Sequence, residues 1–331
     1  MPTAGARTQI PLYGWGGMAA FPRTSGPRIG PTKNDNCAPF YEKTGRGNAG
    51  ILRALAIRDR TPPNCPAPDT TRLNMKEVRL NEAQLQQFRE EGYAMLGRVL
   101  SDADLKSLRA EEARFRANAR ISDSEKNKTL FFSQVCPYSA VVRKVGTTGG
   151  HLSAMEQLIG PNLMLWFTQF VTKMPDGNSG KSEFPWHQDN GYISIEPANN
   201  VTLWIALDDV DTANGCVWIV PRSHRDGLLP HQKKSADSWF LELKVEGDGI
   251  PAVMKAGEGV AFTGLTLHRS KLNSTEKARR AFFFEYCDPS AFAIPTVGVE
   301  GVAPRTPVIK RDGTWLVRGQ VPLPADGKLI A

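Results

Sequence analysis

The chain has 331 residues, of which 40% are hydrophobic and 23% are charged. This composition excludes a largely disordered protein and supplies enough apolar residues for one large core. The formal net charge of +7 suits an anionic small-molecule substrate or cosubstrate. Because no dense block of Lys and Arg is interleaved with aromatic residues, we expect no nucleic-acid partner.

The five cysteines are widely spaced and include no Cys-x-x-Cys pair, which argues against a zinc knuckle or a disulfide framework. We therefore expect reduced thiols and a cytoplasmic location. The sequence contains no apolar stretch of the length needed for a secretory signal or a membrane span, so we expect no membrane partner. Monomer and homodimer both remain open.

The beginning of the chain differs in composition from the remainder. Residues 1–72 are rich in proline and glycine, which predicts an irregular N-terminal arm with one short helix near residues 50–57. Residues 73–331 form the predicted main domain. Several aromatic residues lie in the arm, so we expect it to pack on the main domain or on a partner subunit.

Two helices are predicted after the arm, within residues 81–118. Asn81 is expected to cap the first helix, and Gly92 is expected to end it. A short strand follows at Tyr93–Val99. Ser101 then caps the second helix, whose first turn is acidic and so favours the positive end of the helix dipole.

From about Phe131 onward the sequence consists of short β runs separated by turn residues. The dipeptide Asn214-Gly215 predicts a β-hairpin, because both residues tolerate positive φ. Many short strands in a chain of this size favour a mainly β fold with flanking helices, built as a jelly-roll sandwich or barrel. The predicted strands are Leu163–Thr172, Val201–Leu207, Cys216–Val220, Gly257–Phe262 and Ala281–Tyr286.

One histidine lies in a pattern that favours metal binding. On an extended strand His187 and Asp189 point to the same face, so both can bind one ion. His268, which follows a turn and a strand, is the best third ligand. Two histidines and one carboxylate suit an Fe(II) oxygenase, and zinc with the same ligands is the alternative.

Arg279 distinguishes these alternatives. A 2-oxoglutarate enzyme must hold a carboxylate away from the metal, and the guanidinium fork binds carboxylates well. Arg279 opens a predicted strand that we expect to pair near the strand ending at His268, and Ser270 could donate a hydrogen bond to the same carboxylate. The alternative for Arg279 is an ordinary surface charge.

Several short blocks occur in a fixed order along the chain. They are Pro185-Trp186-His187-Gln188-Asp189, Trp204-Ile205-Ala206-Leu207, Asn214-Gly215-Cys216, Pro221-Arg222-Ser223-His224, His268-Arg269-Ser270 with Asn273, and Arg279-Arg280-Ala281. Together they cover roughly residues 78–290 and resemble the phytanoyl-CoA dioxygenase (PhyH-like) family of Fe(II)/2-oxoglutarate oxygenases. The resemblance implies a double-stranded β-helix core, of the cupin-like jelly-roll type, with an iron centre.

The resemblance also implies roles for individual residues. The implied iron ligands, which are also the catalytic residues, are His187, Asp189 and His268, and the implied cosubstrate residues are Arg279, Ser270, Gln169 and Trp204. For two of these residues an alternative remains open: Trp204 could instead belong to the core, and Gln169 could instead face solvent.

The implied activity is that of a non-haem iron dioxygenase that consumes 2-oxoglutarate and O2, releases succinate and CO2, and is supported by ascorbate. Related halogenases lack the carboxylate ligand, so Asp189 favours hydroxylation of a C–H bond in a small or medium-sized organic substrate, as in secondary metabolism. A non-catalytic jelly-roll binding protein and, less favoured, a zinc hydrolase remain alternatives.

Substrate residues are expected on loops around the iron. Asn190 and Tyr192 follow the ligands directly and are the predicted substrate contacts. The four predicted loops are Phe131–Arg143, Asp176–Phe184, Asn190–Asn200 and Gly227–Asp248.

Three further positions are outside the predicted chemistry. His224 belongs to a family turn and should have a structural role. His231 is expected on a lid or at the surface. Arg222 stands where the family usually has glycine, and we expect it to alter the turn.

Overall fold

The structure, a computed structural model, describes residues 77–119, 121, 128–235, 238, 240–296 and 305–321. The predicted arm and its short helix lie outside these residues. Within these ranges no helix combines the length and apolarity that a bilayer crossing requires.

In the described ranges four α-helices flank the strands, and they are α1 (Glu82–Glu91), α2 (Asp102–Asn118), α3 (Ala140–Thr148) and α4 (Leu152–Ile159). Asn81 begins α1 with a capping box, because its side chain accepts from the Gln84 N–H while the Gln84 side chain accepts from the Asn81 N–H. Gly92 ends α1 at a φ of 83°, and the Ser101 hydroxyl accepts from the Asp104 N–H at the start of α2. The predicted caps are therefore confirmed.

Helices α3 and α4 were not predicted, because we expected only short β runs from Phe131 onward. The sequence of α3 contains three valines and two threonines, which are more common in strands. Helix α4 is capped by Gly160 but has no side-chain cap at its start. Packing against the large sheet, where Val145 and Met155 are buried, overrides these weak local preferences.

The described strands form two main antiparallel sheets. A seven-stranded sheet has the order β1-β11-β6-β13-β3-β16, with β2 also paired to β3, and a four-stranded sheet has the order β10-β7-β12-β4. The strands are β1 (Tyr93–Arg98), β2 (Thr129–Ser133), β3 (Leu163–Lys173), β4 (Phe184–His187), β5 (Ile193–Glu196), β6 (Val201–Ala206), β7 (Val217–Ile219), β8 (Gln232–Lys233), β9 (Leu241–Glu242), β10 (Ile250–Pro251), β11 (Glu258–Thr263), β12 (His268–Ser270), β13 (Arg279–Cys287), β14 (Phe292–Pro295), β15 (Thr306–Pro307) and β16 (Trp315–Arg318). This arrangement is the predicted mainly β jelly roll.

The large sheet is covered on both faces. On β13 the side chains of Phe282 and Phe284 pack with the helices, whereas Ala281 and Phe283 pack with residues of the four-stranded sheet. This alternation follows from the two-residue period of a strand. It explains why the central strands β3 and β6 are buried along their whole length, and it places every second residue of β13 on the interior face between the sheets.

Two predictions of strand pairing were wrong. The strands on either side of Asn214-Gly215 do not form a hairpin, because β6 lies in the seven-stranded sheet and β7 in the four-stranded sheet. The turn, with Gly215 at a φ of 81°, instead crosses between the sheets. We also expected the strand that begins at Arg279 to pair near the strand ending at His268. The two residues instead open strands of different sheets: Arg279 opens β13, which pairs with β3 and β6, and His268 opens β12, which pairs with β4 and β7.

The Pro-x-Ser-His turn packs against the end of α1. Arg222 adopts a φ of 67°, the left-handed conformation that glycine favours, so the turn forms without glycine. His224 has its Nε2 atom 3.2 Å from the Arg89 carbonyl oxygen, and its ring lies against Gly92, where a Cβ would be only 2.5 Å from Nδ1. This position fits the structural role expected for His224.

Candidate active site

The three predicted ligands meet where β4 and β12 lie side by side. His187 and His268 are register partners in this pair, and their ring centroids are 4.1 Å apart. Gln188 keeps an extended backbone after β4 ends, so Asp189 reaches the same side as His187. The Asp189 Oδ1 atom lies 3.7 Å from Nε2 of His187 and 3.5 Å from Nε2 of His268.

Backbone carbonyls orient both imidazole rings. His187 Nδ1 donates to the Pro185 carbonyl at 2.9 Å, and His268 Nδ1 donates to the Thr266 carbonyl at 3.0 Å. Both Nε2 atoms are therefore left with lone pairs directed at the carboxylate. Burial, and secondarily the neighbouring His268, holds the pKa of His187 well below its usual value, so its ring is neutral and able to bind metal.

The carboxylate is also oriented. The Thr202 hydroxyl donates to Asp189 Oδ2 at 2.6 Å, leaving Oδ1 on the side of the two rings. Among the described residues, His187, Asp189 and His268 are the one group whose ligand atoms all lie within 4.8 Å of one another. Two imidazoles and one carboxylate, all buried, fit a divalent transition metal such as Fe(II).

A buried guanidinium lies at the other end of the site. Arg279 is 2% exposed, and its Nη2 donates to the Gly215 carbonyl at 2.8 Å. Its Nε and Nη1 atoms are buried and have no hydrogen-bond partner among the residues that the structure describes. Burial lowers the pKa of Arg279 to about 10, so the group is still a cation at neutral pH. Two unpaired donors on a buried cation fit a carboxylate-bearing ligand.

A cavity joins the triad to the guanidinium. Eight of the nine predicted site residues line it: His187, Asp189, His268, Arg279, Ser270, Gln169, Trp204 and Tyr192. Gln169 is buried and its amide donates to the Ser133 hydroxyl at 2.5 Å, so it does not face solvent. The Trp204 ring lies 5.4 Å from the guanidinium carbon of Arg279.

Asn190 is the exception. Its side chain is fully buried and accepts a hydrogen bond from Asn200 at 2.8 Å, and it is not among the residues that line the cavity. The strand alternation ends at Asp189, where a 3₁₀ turn begins and directs the next side chain into the protein. The structure therefore does not bring Asn190 to the site, whereas Tyr192 reaches it.

We expected His231 on a lid or at the surface, but the structure buries it: the residue is 7% exposed and lies behind the triad. Its Nε2 accepts from the backbone N–H of Gln188 at 2.9 Å, and its Nδ1 donates to the Leu229 carbonyl at 2.8 Å. The ring therefore fixes the peptide between the two ligands of the His-x-Asp pair. No local sequence pattern indicated this contact, which spans 43 positions of the chain.

Aromatic side chains from three of the four predicted substrate loops meet near the triad. Phe131, Phe184 and Phe240 form a cluster with ring centroids 4.9–6.2 Å apart. The Phe184 ring is also edge-on to His187, at 4.4 Å. Phe131 and Phe184 line the cavity, so its metal end is bordered by apolar rings.

The sequence is similar to a known protein family. Residues 81–281 match the model of the family described as phytanoyl-CoA dioxygenase (PhyH). Peroxisomal phytanoyl-CoA dioxygenase of Bos taurus is 27% identical over 237 residues, which are 64% of this chain and 69% of the bovine protein.

Two solved structures share the fold. The non-heme alpha ketoglutarate dependent carbocyclase SnoK from nogalamycin biosynthesis has a TM-score of 0.58 at 23% identity, covering 72% of this chain and 96% of its own. The epimerase SnoN, in complex with Fe3+, alpha ketoglutarate and nogalamycin RO, has a TM-score of 0.57 at 21% identity, covering 72% of this chain and 98% of its own. The chain belongs to the phytanoyl-CoA dioxygenase family and is a non-haem iron dioxygenase that depends on 2-oxoglutarate.

Proposed function

We propose that the protein hydroxylates a C–H bond of a small or medium-sized organic molecule, with His187, Asp189 and His268 as the iron ligands. In each turnover 2-oxoglutarate and O2 would become succinate and CO2, while one oxygen atom enters the substrate. The observation that carries the proposal is Arg279, whose two unpaired buried donors lie in the same cavity as the triad.

The proposed division of labour follows from the positions of the residues. Arg279 binds the distal carboxylate of 2-oxoglutarate, with Ser270 and Trp204 beside it, which directs the oxo-acid end toward the triad. Iron, when bound there, supplies the activation of O2 and the oxidising power for the C–H bond. A ligand set of three side chains leaves room on the metal for both the cosubstrate and O2.

The surroundings serve to position groups and to exclude water. The carbonyls of Pro185 and Thr266 hold the two imidazoles, and Thr202 holds the carboxylate, so the ligand geometry is set before metal binds. Phe131 and Phe184 border the metal end and would keep bulk water from the reacting carbon. A substrate with an apolar, uncharged group at the reacting carbon fits this border.

The alternatives fit the cavity less well. A zinc hydrolase needs a general base, and among the cavity-lining residues that the structure describes Asp189 is the one carboxylate, already placed as a ligand. A binding protein would not need the oriented triad. We propose that the enzyme acts as a monomer or homodimer on a free small molecule, without nucleic acid or membrane.

The test is succinate formation by the full chain with Fe(II), ascorbate, O2 and 2-oxoglutarate. We expect slow succinate release without a further substrate and faster release with one, together with a product heavier by one oxygen atom. The zinc-loaded protein is the control and should release none. A protein that binds Fe(II) but never forms succinate would overturn the proposal.

A further inference from the structure

A second buried cation lies next to Arg279. Lys173 ends β3, is 0% exposed, and is the register partner of Arg279 on β13 and of Thr129 on β2. By strand alternation its side chain shares the interior face with Gln169 and with Val171, both of which line the cavity. The lysine therefore lies at the Arg279 end of the cavity, although it does not line it.

The ammonium group is bound by three backbone carbonyls. Its Nζ donates to the carbonyl oxygens of Ser182, of Lys271 at 2.8 Å and of Ser270 at 3.3 Å. Three acceptors match the three N–H donors of an ammonium, whereas a neutral amine has only two. This arrangement favours the charged form of Lys173 and ties the large sheet to the strand that contains Ser270.

In the part of the chain that the structure describes, Lys173 and Arg279 donate to carbonyl oxygens, and neither is paired with a carboxylate. Burial, and then the adjacent Arg279, lowers the pKa of Lys173, and the carboxylates of Asp176 and Glu183 only partly oppose this. Two neighbouring buried cations repel each other, so an anion bound between the sheets gains from both.

We propose that Lys173 is a positioning residue of the cosubstrate site, whose fixed charge, acting beside Arg279, selects a 2-oxo acid with a second carboxylate. The proposal rests on the proposed function. Arg279 contacts the distal carboxylate, whereas Lys173 acts through the field at that end of the cavity and through the backbone of Ser270. Removing the charge of Lys173 should weaken the binding of a dianionic ligand more than the binding of a monoanionic ligand of the same length.

The experiment compares two ligands on the anaerobic Fe(II)-loaded full chain by calorimetry. One is 2-oxoglutarate, and the other is 2-oxopentanoate, which has the same oxo-acid end but a methyl group in place of the distal carboxylate. For Lys173→Met we expect the affinity for 2-oxoglutarate to fall about 10-fold, with little change for 2-oxopentanoate. A purely structural role would lower both affinities equally, so an equal loss, or no loss, overturns the proposal.

Two further variants complete the test. Arg280→Met is the matched control, because this neighbouring cation faces the opposite side and pairs with Asp208 at 2.6 Å; the ratio of the two affinities should stay as in the wild type. Lys173→Gln keeps amide donors for the carbonyls and serves if the methionine variant does not fold. A wild-type ratio in Lys173→Gln would show that charge is not the cause and would overturn the proposal.

Failure of the proposed function has a different signature. In that case the wild-type protein would bind neither ligand, or would bind both with equal affinity. If the wild type prefers 2-oxoglutarate, the cosubstrate site stands and only the part played by Lys173 is in question.

Discussion

The proposed metal end of the cavity is built on the four-stranded sheet, whereas the proposed cosubstrate end is built mainly on the seven-stranded sheet, with Ser270 on β12 as the exception. The triad lies on short strands of four and three residues and on the turn that follows β4, whereas Arg279, Trp204 and Gln169 lie on central strands of six to eleven residues. Those long strands are buried on both faces. The proposed metal ligands therefore depend on local backbone hydrogen bonds for their orientation, and the proposed cosubstrate residues on the long strands depend on the register of the sheet.

The largest effect should come from the triad. Each of the single replacements His187→Ala, Asp189→Ala and His268→Ala should reduce 2-oxoglutarate turnover to background and weaken Fe(II) binding. The two sheets should stay folded. The measurement is succinate formation at saturating iron, with circular dichroism to monitor the fold. His224→Ala, in the turn beside α1, is the control and should keep wild-type turnover; normal turnover in a triad variant would remove that residue from the ligand set.

The cosubstrate end should respond in affinity instead. A charge-assisted bidentate pair that is partly buried contributes about 2–4 kcal/mol, so Arg279→Ala should raise the 2-oxoglutarate concentration required by roughly 30-fold to 1000-fold. Iron affinity should change little. Arg279→Lys should recover part of the loss, because a point charge cannot reproduce the fork.

Arg280 is the control for that prediction, since strand alternation places it on the opposite face, where it binds Asp208. The dependence of succinate formation on 2-oxoglutarate concentration should be close to wild type in Arg280→Ala. Equal effects at the two arginines would contradict the assignment of Arg279 to the cosubstrate.

A smaller effect is expected behind the triad. His231→Leu removes the acceptor of the buried Gln188 N–H, which should lower the free energy of unfolding by about 1–3 kcal/mol and also weaken metal binding. Urea unfolding and metal titration measure the two quantities. His151, a buried histidine on the helix side that pairs with the Tyr286 hydroxyl, is the control. His151→Leu should lower the free energy of unfolding without changing metal affinity. If His231→Leu also left metal affinity unchanged, His231 would have no influence on the metal site.

The smallest effect concerns the left-handed turn residue. Arg222→Gly should raise the free energy of unfolding by about 1 kcal/mol, because a non-glycine residue is strained at a φ of 67°. The ion pair with Glu91 that is lost is exposed and contributes little. Thermal unfolding is the measurement. Arg225 lies nearby but outside the left-handed region, so Arg225→Gly should instead lower the stability. A lower stability of Arg222→Gly would argue against strain at this position.

The features predicted correctly are those that neighbouring residues determine. The caps at Asn81, Gly92 and Ser101 depend on hydrogen bonds within a few positions, and the short β runs depend on strand-favouring residues bounded by turn residues. Strand partners do not. The residues flanking Asn214-Gly215 favour a hairpin locally, yet the pairing is decided by strands far along the chain.

The residues of the site also fall into those that were predicted and those that could not be. The grouping of His187, Asp189, His268 and Arg279 followed from an ordered set of blocks, and the cavity contains all four. The roles of His231 and Lys173 could not be predicted, because each acts on a backbone atom far away in sequence: His231 on Gln188, and Lys173 on carbonyls up to 98 positions away. Every residue has a backbone carbonyl, so the residue type does not indicate which carbonyl accepts a hydrogen bond.

The strand order has a consequence for the order of events during synthesis. In the centre of the large sheet, β3 and β6 are both neighbours of β13, which begins only at Arg279. A growing chain that has reached β11 therefore still has two apolar strands with open hydrogen-bonding edges. The residue proposed to bind the cosubstrate enters the fold together with the strand that closes the sheet, so a shortened product without β13 should be prone to aggregate.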